Sequence, residues 1–94
     1  MNAALQPSAT RTTAEWQAAD TAHYLHPFTD FKSLASKGSR VITRADNIYL
    51  WDSEGAKILD AMSGLWCVNV GYGQQDLIDA ATAQLKQLPF YNSF

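Results

Sequence analysis

The chain has 94 residues, enough for one small domain that would bury roughly 60 to 65% of the surface that its unfolded form exposes. Its formal net charge is −2 and it has no basic cluster, which argues against nucleic acid or an anionic membrane as a partner. Charged residues make up only 17% and hydrophobic residues 47%, so we expect other polypeptide to cover part of the surface.

Cysteine usage and the terminal sequence indicate the compartment. Cys67 is the only cysteine, which excludes an intrachain disulfide and a metal site built from cysteines. The first ten residues lack a basic segment followed by a long apolar run, and no stretch reaches about 18 uninterrupted apolar residues. We therefore expect a soluble protein of the cytoplasm.

The N-terminal part is predicted to be an arm followed by a helix. Residues 1–11 are small and polar, and we expect a mobile arm. Thr12 followed by Glu15 is typical of a capping box, so a helix over residues 13–24 is predicted. Pro27 ends this helix because the residue before a proline avoids the helical conformation.

Two histidines after this helix suggest a metal site only weakly. His23 and His26 lie three residues apart with Asp20 and Asp30 nearby, but no third strong ligand follows at catalytic spacing, so we expect no metal. Residues 26–30 instead predict a rigid turn. The residues alone leave Phe28 open to two interpretations, a core aromatic after a helix stop or part of a functional aromatic turn.

The next part is predicted to contain a small sheet. Residues 31–38 indicate a weak helical turn or loop. Turn-forming residues at 45–47 and 53–55 then separate three short apolar runs, which predicts an antiparallel meander covered on both faces. The three predicted strands are residues 40–44, 47–52 and 57–60.

Residues 63–73 form an uncharged stretch with three glycines. Glycine is used where the backbone needs a positive φ or where another group must come close, and Trp66 beside such glycines can form the wall of a cavity. The stretch is predicted to be the floor of a pocket. A buried connection in a large core is the alternative.

A second helix is predicted over residues 75–88, where apolar residues form one stripe and Asp76 complements the helix dipole. Pro89 ends it. The segment from Pro89 to Phe94 has three aromatic residues and no charge, and we expect the polypeptide to continue beyond it.

No motif for self-sufficient catalysis is present. The chain lacks a nucleophile elbow, a phosphate-binding loop and a zinc-protease motif. Cys67 would act as a nucleophile only beside a base, and its apolar neighbours favour a packed thiol. The four lysines all lie in polar surroundings, unlike a lysine that forms a Schiff base.

Four motifs nevertheless follow one another in a recognisable order: HPFTD at 26–30, IYLWDSEG at 48–55, LDAMSGLWCVNVGYG at 59–73 and LPFYNSF at 88–94. In this order they resemble the opening segment of class III aminotransferases that use pyridoxal phosphate. Within that class the segment is most similar to ω-amine or putrescine-type pyruvate transaminases. The resemblance covers roughly residues 12–94.

The resemblance implies an α/β fold for the complete protein, the type I fold of pyridoxal-phosphate-dependent transferases. This segment itself would be α+β, with an N-terminal helix, a three-stranded antiparallel meander, a glycine-rich loop and a second helix. Residues 12–73 would belong to a small domain with the pocket-lining loop, and residues 74–94 would lead into a large cofactor domain.

The resemblance also implies roles for five residues. Leu65, Trp66 and Cys67 would line the substrate pocket, Phe28 would supply a second aromatic wall, and Phe94 would reach into the neighbouring subunit's site in a homodimer or higher homo-oligomer. The Schiff-base lysine and the phosphate-binding residues lie further along in relatives. Pyridoxal phosphate would therefore be bound by residues beyond this segment, and the 94 residues alone would be inactive.

The implied reaction moves an amino group from a primary amine or ω-amino acid to pyruvate by a ping-pong mechanism. Two alternatives stay open. One is a non-catalytic module that associates with itself through its apolar face, and the other is a different class III enzyme, such as a biotin-pathway transaminase or an aminomutase.

Overall fold

The structure is a computed structural model that describes residues 11–94. The predicted mobile arm therefore lies outside the described residues, except for Arg11. The elements in chain order are α1 (Thr13–His23), α2 (Phe31–Lys37), β1 (Ile42–Asp46), β2 (Tyr49–Asp52), β3 (Lys57–Leu59), α3 (Ser63–Trp66) and α4 (Gln75–Gln87).

The described residues form two compact units. The first unit takes in residues 11–44 and Leu50–Ile58, and the second takes in Ala45–Tyr49 and Leu59–Phe94. The three strands form one antiparallel meander with the order β1-β2-β3, as predicted.

Helix α1 begins with the predicted capping box. The Glu15 backbone N–H donates to Thr12 Oγ1 (3.2 Å), and the Thr12 backbone N–H donates to Glu15 Oε2 (2.7 Å). Side chains also attach α1 to the rest of the first unit, since Thr13 Oγ1 donates to Ser53 Oγ (2.8 Å) and Gln17 Nε2 donates to the carbonyl of Ser39 (2.9 Å).

Helix α2 is better formed than the weak turn predicted from the sequence. Asp30 caps its N-terminus by accepting from the backbone N–H groups of Lys32 (3.0 Å) and Ser33 (3.3 Å). Gly38 ends the helix, and its backbone N–H donates to the carbonyl of Leu34 (2.8 Å). The cap therefore makes a helix from a stretch of only seven residues.

The first strand ends two residues later than predicted. Ala45 and Asp46 belong to β1, and the turn to β2 consists of Asn47 and Ile48. Asn47 has a φ of 50° and pairs with Tyr72 through two backbone hydrogen bonds of 3.1 and 2.8 Å. This pairing holds the β1–β2 turn from outside the meander, which local sequence patterns do not reveal.

Helix α4 matches its prediction to within one residue, with Asp76 in its first turn. Its apolar stripe is largely exposed, at 59% for Leu77, 47% for Ile78 and 60% for Leu85. A helix of 13 residues is marginal in water by itself, so this stripe needs a covering surface.

Exposure of apolar groups is general in the described part of the chain. None of its hydrophobic side chains is buried. The middle strand β2 is half-buried along its whole length, although the sequence predicted a sheet covered on both faces. None of the helices described is long and apolar enough to cross a lipid bilayer.

Candidate functional site

The uncharged stretch in the second unit contains a turn of left-handed helix, the element α3. The φ angles of Ser63, Gly64, Leu65 and Trp66 are 49°, 58°, 61° and 69°. The turn is closed by backbone hydrogen bonds from Trp66 N to Met62 O (3.0 Å) and from Cys67 N to Ser63 O (2.9 Å). Four consecutive residues with positive φ are unusual because the Cβ atom then crowds the following carbonyl oxygen.

This conformation is costly for three of the four residues. Each non-glycine residue in the left-handed region costs about 1–2 kcal/mol, so Ser63, Leu65 and Trp66 together cost about 3–6 kcal/mol. Such strain persists only where the surroundings impose it, and it is concentrated at functional sites.

The carboxylate of Asp60 supports the turn. Its Oδ1 accepts from the backbone N–H of Met62 (3.1 Å), and its Oδ2 accepts from the backbone N–H of Gly64 (2.9 Å) and from the hydroxyl of Tyr72 (2.7 Å). Hydrogen bonds to an ionised acceptor are the strong kind. Asp60 therefore connects the start of α3 to Tyr72, 12 residues further along.

Tyr72 is itself held at its backbone. Its N–H donates to the carbonyl of Asn47, and its carbonyl accepts from the N–H of Asn47. The tyrosine thus links two parts of the second unit. Its main chain pairs with the β1–β2 turn, and its hydroxyl binds Asp60. We call Asn47, Asp60 and Tyr72 the anchor of α3.

Two glycines give this arrangement the space it needs. A Cβ atom on Gly64 would lie 2.8 Å from Val68 Cγ2 and 3.0 Å from Tyr72 Oη. A Cβ atom on Gly71, where φ is 90°, would lie 2.7 Å from Asn47 Oδ1 and 3.1 Å from the Asn47 carbonyl oxygen. The predicted need for positive φ and close approach is thereby confirmed at both positions.

The electrostatics of the anchor favour one charge state at neutral pH. The hydrogen bond from Tyr72 lowers the pKa of Asp60, the backbone N–H groups of the turn add to this effect, and partial burial opposes it. The same hydrogen bond raises the pKa of Tyr72, because the carboxylate binds the protonated hydroxyl. Asp60 is therefore ionised and Tyr72 neutral, which is the pairing that the hydrogen bond requires.

The turn presents the three residues of the predicted substrate wall. Leu65 is 67% exposed, Trp66 is 86% exposed and Cys67 is exposed, with Cys67 Sγ 3.4 Å from the carbonyl of Leu65. Their side chains are not part of a core in the described residues, so the alternative of a buried connection is not realised there. Their role as a substrate wall stays a prediction.

Phe28, the predicted second wall, belongs to the first unit. It has a φ of 47° and its ring is fully exposed. The loop around it is held by His26, whose Nε2 lies 2.6 Å from Asp20 Oδ2, and by Thr29 Oγ1, which donates to the carbonyl of Pro27 (2.7 Å). The interpretation of Phe28 as a core aromatic finds no packing within the described residues.

Of the two histidines that weakly suggest a metal site, His26 is hydrogen-bonded to Asp20. The hydrogen bond to His26 lowers the pKa of Asp20, although burial opposes this shift. His23 is exposed. Across residues 11–94, no three or more histidine, cysteine, aspartate or glutamate side chains are grouped so that they could hold a metal ion.

Phe94 lies in the second unit after α4, and its ring is fully exposed. It therefore packs against none of the described side chains to any substantial extent. Its predicted reach into a neighbouring subunit stays a prediction.

The lysines do not fit a covalent attachment site for pyridoxal phosphate. Lys32, Lys37, Lys57 and Lys86 are all exposed, whereas a lysine that forms a Schiff base needs a desolvated setting. No step of cofactor chemistry is therefore assigned to a lysine of this chain.

The sequence patterns do not predict the anchor. They place Asp60 at the end of a strand and Tyr72 in the glycine-rich stretch. A signal was available, because an aspartate directly after a strand and shortly before a glycine often accepts backbone N–H groups in a turn. Its bond to a tyrosine 12 residues away could not be read from spacing.

Comparison with known proteins gives consistent matches. The family model described as aminotransferase class-III matches residues 33–93. The chain is 63% identical over 82 residues to the putrescine–pyruvate aminotransferase of Pseudomonas aeruginosa, a match that covers 87% of this chain and 18% of that protein. It is 43% identical over 75 residues to the taurine–pyruvate aminotransferase of Rhodobacter capsulatus, covering 79% and 16%.

Solved structures agree with these relatives. A thermostable (S)-enantioselective omega-transaminase from Thermomicrobium roseum superposes with a TM-score of 0.84 at 40% identity, covering 90% of this chain and 19% of that one. An omega-transaminase from Pseudomonas jessenii gives 0.78 at 37% identity, covering 83% and 17%. These likenesses confirm the expected fold class, and the chain spans less than a fifth of the length of each of these proteins.

Proposed function

The chain belongs to the class III aminotransferase family, and on that premise we propose that it is the N-terminal segment of a pyridoxal-phosphate-dependent transaminase. The complete protein transfers the amino group of a primary amine or ω-amino acid to pyruvate by a ping-pong mechanism. Relatives named for putrescine with pyruvate and for taurine with pyruvate support this donor and acceptor chemistry.

The observation that carries the proposal is the left-handed turn α3. It holds Leu65 and Trp66 out of any core in the described chain, at 67% and 86% exposure. A turn with three strained non-glycine residues needs a reason other than stability, because such strain is concentrated at functional sites. An apolar wall for the hydrocarbon part of an amine is such a reason, because small-molecule sites are lined mostly by apolar and aromatic groups.

In this proposal the chain contributes binding and orientation. Trp66 and Leu65 contact the carbon chain of the amine, Cys67 completes that wall, and Phe28 forms the second wall. When bound, pyridoxal phosphate supplies the electron sink for amino-group transfer. Its covalent lysine and phosphate-binding groups lie in polypeptide outside these 94 residues.

We further propose that the protein is a homodimer or higher homo-oligomer in the cytoplasm, with Phe94 of one subunit contributing to the site of the other. The exposed aromatic rings of the last segment support this, at 81% for Phe90, 77% for Tyr91 and 104% for Phe94. Apolar rings of this kind mark a surface that other polypeptide covers, and the proposal assigns Phe94 to the partner subunit.

The proposal is tested on the complete protein loaded with pyridoxal phosphate. Alanine formation from pyruvate is measured with putrescine, taurine, β-alanine and an arylalkylamine as donors. Absence of alanine with every donor refutes the function. Formation of a biotin precursor, or migration of an amino group within one substrate without alanine formation, would assign the protein to the other class III activities.

Trp66→Ala tests the wall within the same assay. Removal of the indole enlarges the pocket, so the ratio of kcat/KM for an arylalkylamine to that for putrescine rises by about 10-fold, in the range set by small changes in apolar pockets. Val70→Ala is the matched control, since Val70 is 64% exposed in the same stretch but outside the proposed wall. Equal ratios in the two variants would show that Trp66 does not line the substrate pocket.

A further inference from the structure

We propose that Asp60 and Tyr72 are positioning residues for the substrate wall: they keep α3 left-handed and so determine where Trp66 stands. The inference rests on the proposed transaminase function and adds to it two residues that do not touch the substrate. It follows from the strain of the turn and from the hydrogen bonds by which Asp60 and Tyr72 hold it.

The turn cannot hold itself. Its backbone hydrogen bonds close a left-handed helix, which for L-residues is less stable than the right-handed form of the same length. Three of its four residues are not glycine, so relaxation to the right-handed form would release backbone strain at each of them. Groups outside the turn must therefore oppose that relaxation.

Asp60 is the outside group in direct contact. It binds the N–H of Met62 before the turn and the N–H of Gly64 within it, at 3.1 and 2.9 Å. A right-handed turn would point the Gly64 N–H elsewhere, so this pair of bonds selects the left-handed form.

Tyr72 keeps the carboxylate in place. Its hydroxyl donates to the same oxygen that accepts from Gly64, at 2.7 Å. Its backbone N–H and its carbonyl are both hydrogen-bonded to the backbone of Asn47. The position of the turn is therefore determined by the β1–β2 turn, through Tyr72 and Asp60.

Within the described residues, the backbone of α3 is what sets the position of Trp66. With 86% of its surface exposed, packing against the described residues contributes little to its orientation. A change at the anchor should consequently reach the substrate through the wall residues that the turn carries, chiefly through Trp66 as the largest of them.

The first experiment measures hydrogen exchange of the amides of residues 64–68 in the complete protein. Asp60→Asn replaces one carboxylate oxygen by an amide that faces an N–H donor, so exchange of these amides accelerates by about 10-fold or more, as for loss of a charge-assisted hydrogen bond. Tyr72→Phe leaves both backbone bonds of Asp60 and accelerates exchange by about 3-fold. Asp79→Asn removes a charge from α4 but keeps an oxygen that accepts from Gln75 Nε2 (2.7 Å), and it leaves the exchange of residues 64–68 unchanged.

The second experiment measures the kcat/KM ratio for an arylalkylamine and putrescine in the same proteins. Asp60→Asn shifts the ratio in the direction of Trp66→Ala by about 3- to 10-fold, whereas a general loss of folding lowers both rates together and leaves the ratio unchanged. In a Trp66→Ala background, Asp60→Asn changes the ratio by less than about 2-fold, because coupled residues are not additive.

The outcomes separate the two proposals. Unchanged exchange in both anchor variants, or an Asp60→Asn effect on the ratio that persists in full without Trp66, overturns the positioning role. If Asp60→Asn does not fold, the Tyr72→Phe results decide alone. An unmodified protein that makes no alanine from any amine refutes the transaminase function, while the exchange experiment still shows whether Asp60 and Tyr72 hold the turn.

Discussion

Asp60 is the residue on which the candidate site depends most, because one carboxylate accepts from two backbone N–H groups and from the Tyr72 hydroxyl. An acid whose charged form is hydrogen-bonded in the folded state loses this contribution only when it is protonated. Tyr72 has the opposite requirement, since its neutral form is the one that donates. The hydrogen bond between them therefore persists over the wide pH range between the lowered pKa of Asp60 and the raised pKa of Tyr72.

The pH dependence of the turn follows from the direction of these shifts. The pKa of Asp60 is below its ordinary 3.8, so its contribution is present above that value and is lost as the pH falls through the lowered one. The pKa of Tyr72 is above its ordinary 10.0, so its contribution is present below that value and is lost only in stronger alkali. Protection of the Gly64 amide, corrected for intrinsic exchange, should stay constant from about pH 5 to about pH 9.

Tyr72→Phe provides the control for this prediction. The hydrogen bond from Tyr72 is the largest cause of the lowered pKa of Asp60, so its removal brings that pKa back towards the ordinary value. Loss of protection in acid should therefore begin at a higher pH in the variant. An identical acid profile in the two proteins would contradict the assigned cause.

Gly71 permits a direct test of close approach. Gly71→Ala places a methyl group 2.7 Å from Asn47 Oδ1 at a φ of 90°, while Gly55→Ala, at a φ of 87°, meets nothing within 4 Å. In both variants the positive φ costs about 1–2 kcal/mol, but overpacking destabilises Gly71→Ala by about 1–3 kcal/mol more. The measurement is the free energy of local opening at the Asn47 and Tyr72 amides, and Gly55→Ala should leave these amides unchanged.

At the scale of elements, the short helix α2 shows how a cap compensates for lack of length. Seven residues give few intrahelical hydrogen bonds against the cost of nucleation, so the helix depends on its ends. Asp30 supplies two acceptor contacts at the N-terminus and Gly38 closes the C-terminus. The turn α3 illustrates the same dependence, with the support coming from residues outside the element.

Asp30→Ala should therefore weaken α2. Loss of the N-cap acceptor costs about 0.5–2 kcal/mol of local stability, whereas Asp30→Asn retains an acceptor and costs a few tenths, about 0.3 kcal/mol. The amides of Leu34 and Gly38, which donate to the carbonyls of Asp30 and Leu34, report the helix by hydrogen exchange. Equal exchange in the alanine and asparagine variants would show that the cap is not what forms α2.

At the scale of the whole molecule, the described chain has apolar surface and no buried apolar core. The stripe on α4 and the aromatic rings after it are exposed together. Burying a leucine or phenylalanine side chain contributes about 1.5–3 kcal/mol, so covering these groups contributes stability that the segment lacks alone. This fits a segment that spans less than a fifth of its relatives.

The isolated 94-residue chain should consequently lack a cooperative thermal transition and should bind a hydrophobic dye such as ANS. It should also retain no pyridoxal phosphate after dialysis and should not deaminate an amine, because its four lysines are exposed and an exposed lysine forms only a weak, reversible Schiff base. Calorimetry, dye fluorescence and absorption spectra check this, with the complete protein as the control. Cooperative unfolding of the isolated chain, together with a defined oligomeric state, would instead favour the self-associating module.

Local chemistry in the sequence determined much of this protein. The capping box at Thr12, the apolar period of α4 and the positive φ at the glycines depend on near neighbours, so they could be predicted, and four ordered motifs identified the family. Only the tertiary structure decided the left-handed conformation of Ser63, Leu65 and Trp66, and the extension of β1 to Asp46. The physical reason is that each of these features is imposed by a partner distant in sequence: Tyr72 bonds to Asp60 and pairs with Asn47, and these contacts outweigh the local preference of the backbone.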